Sequence, residues 1–136
     1  RSLRLRQWYL DLFLGAGMGA CIIGILQYFD IDPIGFKNLM DPGQYYMFTS
    51  TIGNINTYTS YAAMLAGASV LLFFIEEVRI RKTWYLFCMS ISFAALITGM
   101  SDNAYLAIFA LIGLLPLYAF KNLRGTVSRP RKDGWT

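Results

Sequence analysis

The stretch TSTIGNINTYTSYAAMLAGASVLLFFI, residues 49–75, decides the fold. Its first half, 49–61, holds eight hydroxyl or amide side chains and two tyrosines without a single charge, and its second half is apolar apart from Ser69. A run this oily is longer than a buried strand needs, and the polar lip in front of it marks a helix entering an apolar medium.

Working outward, similar apolar blocks cover residues 8–29, 58–75, 84–100 and 104–120, with lengths of 22, 18, 17 and 17 residues. At 1.5 Å of rise per residue these helices would be roughly 26 to 33 Å long, which matches a hydrocarbon layer of about 30 Å. The composition agrees, being 56% hydrophobic and only 15% charged, too little charge to clothe a soluble domain. The expected fold is an all-α membrane protein of about four transmembrane helices, forming a single membrane-embedded unit over 1–136. The segment 30–57 is its outer loop and 121–136 its basic cytoplasmic tail.

RSLRLR precedes the first block as it would precede a signal peptide, but the block exceeds the usual apolar core and no small-residue cleavage site follows. It is expected to stay in the mature protein. The chain opens on Arg1, and four helices are few for an active site, so the expectation is a fragment of a larger protein.

Eleven of the twelve cations fall before block one, between blocks two and three, or after block four, leaving Lys37 alone with Asp30, Asp32, Asp41 and Asp102 on the other side. This is the positive-inside bias. Both termini are therefore expected in the cytoplasm, with 30–57 and 101–103 outside. The same distribution explains the net charge of +4 without a nucleic-acid partner. Cys21 and Cys88 sit inside blocks at no metal-ligand spacing, and the chain has no histidine, so no metal site and no imidazole-dependent mechanism is expected within it.

In block one, Gly15 and Gly19, then Ala16, Ala20 and Gly24, recur four apart and predict a close-packing stripe. Asp11 reads as an interfacial acid. Trp8, Tyr9, Trp84, Tyr85 and Tyr118 at one boundary, and Tyr28, Tyr58, Tyr61 and Tyr105 at the other, read as aromatic belts. Within the outer loop, Asp32–Pro33 followed by PIGFKNLM predicts a short interfacial helix, DPG at 41–43 predicts a turn, and QYYMF returns the chain to the membrane.

Helices two and four both begin on the outer side, the first beside Asn54, Asn56 and Thr57, the second at Ser101, Asp102 and Asn103. Capping explains part of this, since Asn, Ser, Asp and Thr all accept hydrogen bonds from the first free amides. One cap does not use eight polar side chains. Amide and hydroxyl groups at two neighbouring helix starts could also hold a sugar, and the free backbone amides a phosphate.

GNIN at 53–56 and, after a basic loop, TGMSDN at 98–103 resemble the paired elements of the bacterial O-antigen ligase and polysaccharide polymerase family, over roughly residues 30–120. The resemblance implies transfer of a polyprenyl-pyrophosphate-linked glycan to a sugar acceptor at the outer face of the bacterial cytoplasmic membrane. It implies no metal or nucleotide cofactor. The candidate substrate-binding residues are Asn54, Asn56, Thr57, Ser101, Asp102, Asn103 and Lys37, and the remaining helices of the parent protein and the lipid bilayer are the expected partners. Asp102 stands where such proteins often carry an arginine, and family members are much longer, with a large outer loop. Two other classes fit the same pattern: a transporter fragment, which would want ionisable residues in mid-span, and a non-enzymatic anchor docking through its outer loop.

Overall fold

The computed structural model describes residues 2–44 and 50–127 of the chain. Among them it is all-helical: α1 (Ser2–Tyr28), α2 (Ile55–Ile75), α3 (Arg79–Gly99) and α4 (Asp102–Val127), with two short 3-10 turns, Phe36–Leu39 and Pro42–Gln44, between α1 and α2. Three helices, over Leu5–Tyr28, Ile55–Ile75 and Arg79–Gly99, are long and apolar enough to cross a membrane, and α4 contributes a shorter apolar stretch, Asp102–Gly113. The return segment 45–49 and the last residues of the tail, 128–136, lie outside the described residues.

The helices overrun the apolar blocks, because hydropathy marks where a helix is oily and not where it begins. The basic segments are wound into helix: α1 starts at Ser2 and α3 at Arg79, as suits Arg, Lys, Gln and Leu, which lose little rotamer freedom there. The α2–α3 connection thus shrinks to residues 76–78, and α3–α4 is joined by Met100 and Ser101 alone. Met100 takes the left-handed conformation, φ 43°, that reverses the chain so tightly. α4 continues past Pro116, which removes one hydrogen bond from the helix ladder but does not end it.

α2 and α3 form the centre. They pack most extensively on each other, α1 lies mainly against α3, α4 mainly against α2, and no contact joins α1 to α4 among the described residues. The buried faces of the central pair are rich in small groups, Ala62, Ala66 and Ser69 on α2 and Cys88, Ser92, Ala95 and Gly99 on α3, set among larger buried residues such as Leu65 and Leu96. Small residues at this spacing let helix backbones approach, which is how packing gains energy where lipid is as apolar as the side chains. Ser69 and Ser92 bury hydroxyls that have no hydrogen-bond partner among the described residues.

The close approach of α1 matches the small-residue stripe only in part, since Gly24 belongs to it and Gly17 does not. Gly15 and Gly19 have open space where a Cβ would stand, and the contacts come at Gly17, against Leu65, and Gly24, against the ring of Tyr58. Leu14, Met18 and Cys21 complete that buried face at alternating three- and four-residue steps. Tyr58 is fully buried and donates its hydroxyl to the Cys21 carbonyl at 3.0 Å, so it belongs to the core and not to a belt. Tyr85 is likewise only 1% exposed, whereas Trp8, Tyr9, Tyr28 and Tyr105 are exposed as belt residues would be.

The loop after α1 is organised by a carboxylate. Asp32 does not start a helix at Pro33; its side chain accepts the backbone N–H of Lys37 at 2.6 Å and the Gln27 amide at 3.2 Å. With the chain folded back on Asp32, only the single 3-10 turn Phe36–Leu39 forms, entered through Gly35 at φ 77° and burying no residue. This replaces the expected interfacial helix over PIGFKNLM. The DPG signal gives the second turn, Pro42–Gln44.

A Cβ at Gly24 would collide with a tyrosine fixed at both ring and hydroxyl. Gly24→Ala is therefore expected to destabilise the bundle by about 1–3 kcal/mol, the usual result of overpacking. Gly15→Ala should be neutral or stabilise by up to about 1 kcal/mol through helix propensity. Unfolding of the two variants in mixed micelles checks the pair, and equal stability would refute the assignment of the packing face.

Candidate functional site

The starts of α2 and α4 lie side by side at the end of the bundle that also carries the end of α1. Asn54, extended at φ −145°, caps α2: its Oδ1 accepts the backbone N–H of Asn56 at 2.9 Å and of Thr57 at 3.3 Å. Ser101 does the same for α4, its Oγ accepting the Ala104 N–H at 3.3 Å. The two starts are then joined directly, Thr59 Oγ1 and Ser101 Oγ standing 2.7 Å apart in a buried hydrogen bond. Thr59 Oγ1 also donates to the carbonyls of Ile55 and Asn56 at 3.0 and 3.1 Å, and either hydroxyl can supply the proton of the bond to Ser101.

Gly99 makes this junction possible. A Cβ there would run into the Thr59 methyl, so the last turn of α3 must present no side chain where α2 begins. Around the junction, Asn56, Thr57, Asp102 and Asn103 are exposed, while Ser101 is buried. The structure thus brings Asn54, Asn56 and Thr57 to one face with Ser101, Asp102 and Asn103. Asp102, in the first turn of α4, sits at the positive end of the helix dipole, where a carboxylate is favoured.

Lys37 is placed differently. Its ammonium forms an ion pair with Asp30 at 2.6 Å and its side chain is only 17% exposed, so the cation of the loop is already matched by a carboxylate. The described residues show no hydrogen bond between it and the two helix starts. Its neighbour Asp32 is held below the usual carboxylate range by the Lys37 backbone N–H, with the Gln27 amide assisting.

Two polar networks escaped the sequence reading. At the same end, Gln27 is buried and accepts the Ser50 N–H at 2.8 Å while donating to Asp32, and Ser50 Oγ donates to the Ala20 carbonyl at 2.6 Å. The returning chain is thereby pinned to α1, with Ser50 held at φ 53°. A glutamine inside an apolar block was the available signal. At the opposite end, Arg81 gathers Asp11 at 3.2 Å, Glu76 at 2.9 Å and the Tyr85 hydroxyl at 2.6 Å, joining α1 to the α2–α3 turn. Glu76 also accepts the N–H groups of Glu77 and Val78, and the bond from Val78, with Arg81 alongside, holds its carboxyl below the ordinary value.

No family model, curated protein or solved structure matches the chain.

The junction can be tested by a double-mutant cycle on Thr59→Val and Ser101→Ala. Ser101→Ala alone should cost about 1 kcal/mol from the lost cap. The coupling between the two sites is expected at about 0.5–1.5 kcal/mol, the range of interhelical hydrogen bonds in membranes. Additive effects in reversible unfolding would mean that the two hydroxyls do not act together.

Proposed function

We propose that the chain forms part of a membrane glycosyltransferase similar to the O-antigen ligases and polymerases, passing a polyprenyl-pyrophosphate-linked glycan to a sugar acceptor. The observation that carries the reading is the pairing of the α2 and α4 starts through Thr59 and Ser101, with Asn56, Thr57, Asp102 and Asn103 exposed around it. Asn54 and Ser101 cap the two helix starts, and Asn56, Thr57, Asp102 and Asn103 remain exposed beside them. Uncharged donors and acceptors at fixed spacing suit the hydroxyls of a sugar, which need both. A pyrophosphate would want cations, and Lys37 is engaged by Asp30. In this reading the two helix starts grip glycan or acceptor, and the remaining helices of the parent protein supply the charges that meet the leaving group.

The membrane setting of the proposal is four spans in the bacterial cytoplasmic membrane, α4 being the fourth, with both termini in the cytoplasm and the Asn54 end outside. Its support is the eleven-to-one distribution of cations along the chain. Cysteines introduced singly at Lys37 and Arg81, in a background lacking Cys21 and Cys88, are expected to react with a membrane-impermeant reagent in intact cells at position 37 only. Labelling at position 81 would invert the orientation.

Asn54→Asp separates binding from capping, because Asp caps a helix as well as Asn does. The variant should reach normal membrane abundance, yet place a negative charge at the α2 start where an anionic donor must pass. Glycan transfer by the full-length protein is expected to fall by more than about tenfold, since a like-charge contact costs upward of ~1.4 kcal/mol. Undiminished transfer would reduce the polar stretch to helix capping.

A further inference from the structure

At the opposite end of the bundle, the last turns of α2 and the first turns of α3 enclose an open groove of about 210 Å3, lined by Phe73, Arg79, Lys82, Thr83 and Leu86. Its chemistry is mixed in a definite way. Phe73 and Leu86 form an apolar wall, Thr83 adds a hydroxyl, and two cations stand at the rim. Lys82 holds its ammonium 5.0 Å from the centre of the Phe73 ring. Arg81, between them in sequence, turns to Asp11 and Glu76, whereas Arg79 and Lys82 make no ion pair among the described residues. The groove therefore concentrates unneutralised positive charge beside hydrocarbon-like surface.

We propose that this groove seats the phosphate of an anionic glycerophospholipid. Arg79, Lys82, Thr83 and Leu86 recur on α3 at three- and four-residue steps, so the cations and Leu86 share one helix face that continues into the span Arg79–Gly99, with Phe73 of α2 opposite. A lipid matches that gradient: its phosphodiester meets Arg79 and Lys82, while the Thr83 hydroxyl stays on the Arg79 carbonyl at 3.1 Å, and an acyl chain follows Leu86 along the helix. The volume is below the roughly 300 Å3 at which sites for whole small molecules begin, which suits a headgroup whose tails stay in the bilayer. Basic pockets between membrane helices at the headgroup level are suited to such lipids, and each cation near an anionic surface contributes about fivefold in affinity. The inference needs only that α2 and α3 span a membrane and is independent of the glycan reading.

The test uses the purified chain in micelles, with bound lipid counted by native mass spectrometry across titrations of phosphatidylglycerol and of phosphatidylcholine, each repeated with excess inorganic phosphate. One phosphatidylglycerol per chain is expected to bind at least about tenfold more tightly than phosphatidylcholine and to survive the phosphate. The double variant Arg79→Gln, Lys82→Gln should lose that preference, while Arg79→Lys with Lys82→Arg keeps it and confirms that the fold tolerates change at these positions. Equal binding of the two lipids, displacement by inorganic phosphate, or an unchanged preference in the double glutamine variant would each overturn the proposal.

Discussion

Everything else in this bundle hangs on the closeness of α2 and α3. Many of their buried positions are alanine, serine, cysteine and glycine, and in an apolar solvent such thin surfaces bring helix backbones near enough for dispersion to favour association over lipid contact. On the sides of the pair, Leu65 and Tyr58 receive α1 and Leu111 stands near Gly67 on the α4 side. The outer helices therefore pack on a central pair and not on each other, and a bulky residue at Ala66 or Ser92 would disturb both.

A seam of small groups is smooth and does not by itself fix register. Polar ties at its two ends do. Thr59 and Ser101 fasten the starts of α2 and α4 across the glycine that ends α3, and Arg81 draws Asp11 of α1 and Glu76 of the turn together at the other end. Each bond alone is modest, since a hydrogen bond within a membrane averages about 0.6 kcal/mol. Because the ties stand at opposite ends, sliding one helix by a turn would break several at once and leave buried polar groups without partners, which costs more than the bonds contribute. The same logic makes the Asn54 end a stable platform for exposed amides and hydroxyls.

The helical blocks were legible in the sequence because hydrophobic length is set directly by bilayer thickness, and the caps were legible because Asn54 and Ser101 stand where apolar runs begin. What stayed hidden was azimuth, the direction in which each residue faces around its helix. Gly15 and Gly19 have the spacing of a packing face as fully as Gly17 and Gly24 do, and only the shape of Leu65 and Tyr58 on α2 chooses between them. Tyr58 and Tyr85 lie at boundaries like any belt tyrosine, yet turn inward to the Cys21 carbonyl and to Arg81. In the loop, Asp32–Pro33 is a sound local start signal overridden by an amide five residues on. Of the candidate site, the helix starts were readable one by one; their junction through Thr59 was not, because it depends on α3 returning the chain to the same end.

The brevity of the α2–α3 connection has a consequence for how such a protein enters its membrane. With only residues 76–78 between them, neither of these two apolar helices can reverse without reversing the other. Two segments thus share a single binary choice, inward or outward, and the charges that bias either one are pooled. A wrongly inserted pair could not be mended helix by helix; it would have to leave the bilayer and begin again, so the decision has to be correct when the first of the two is committed.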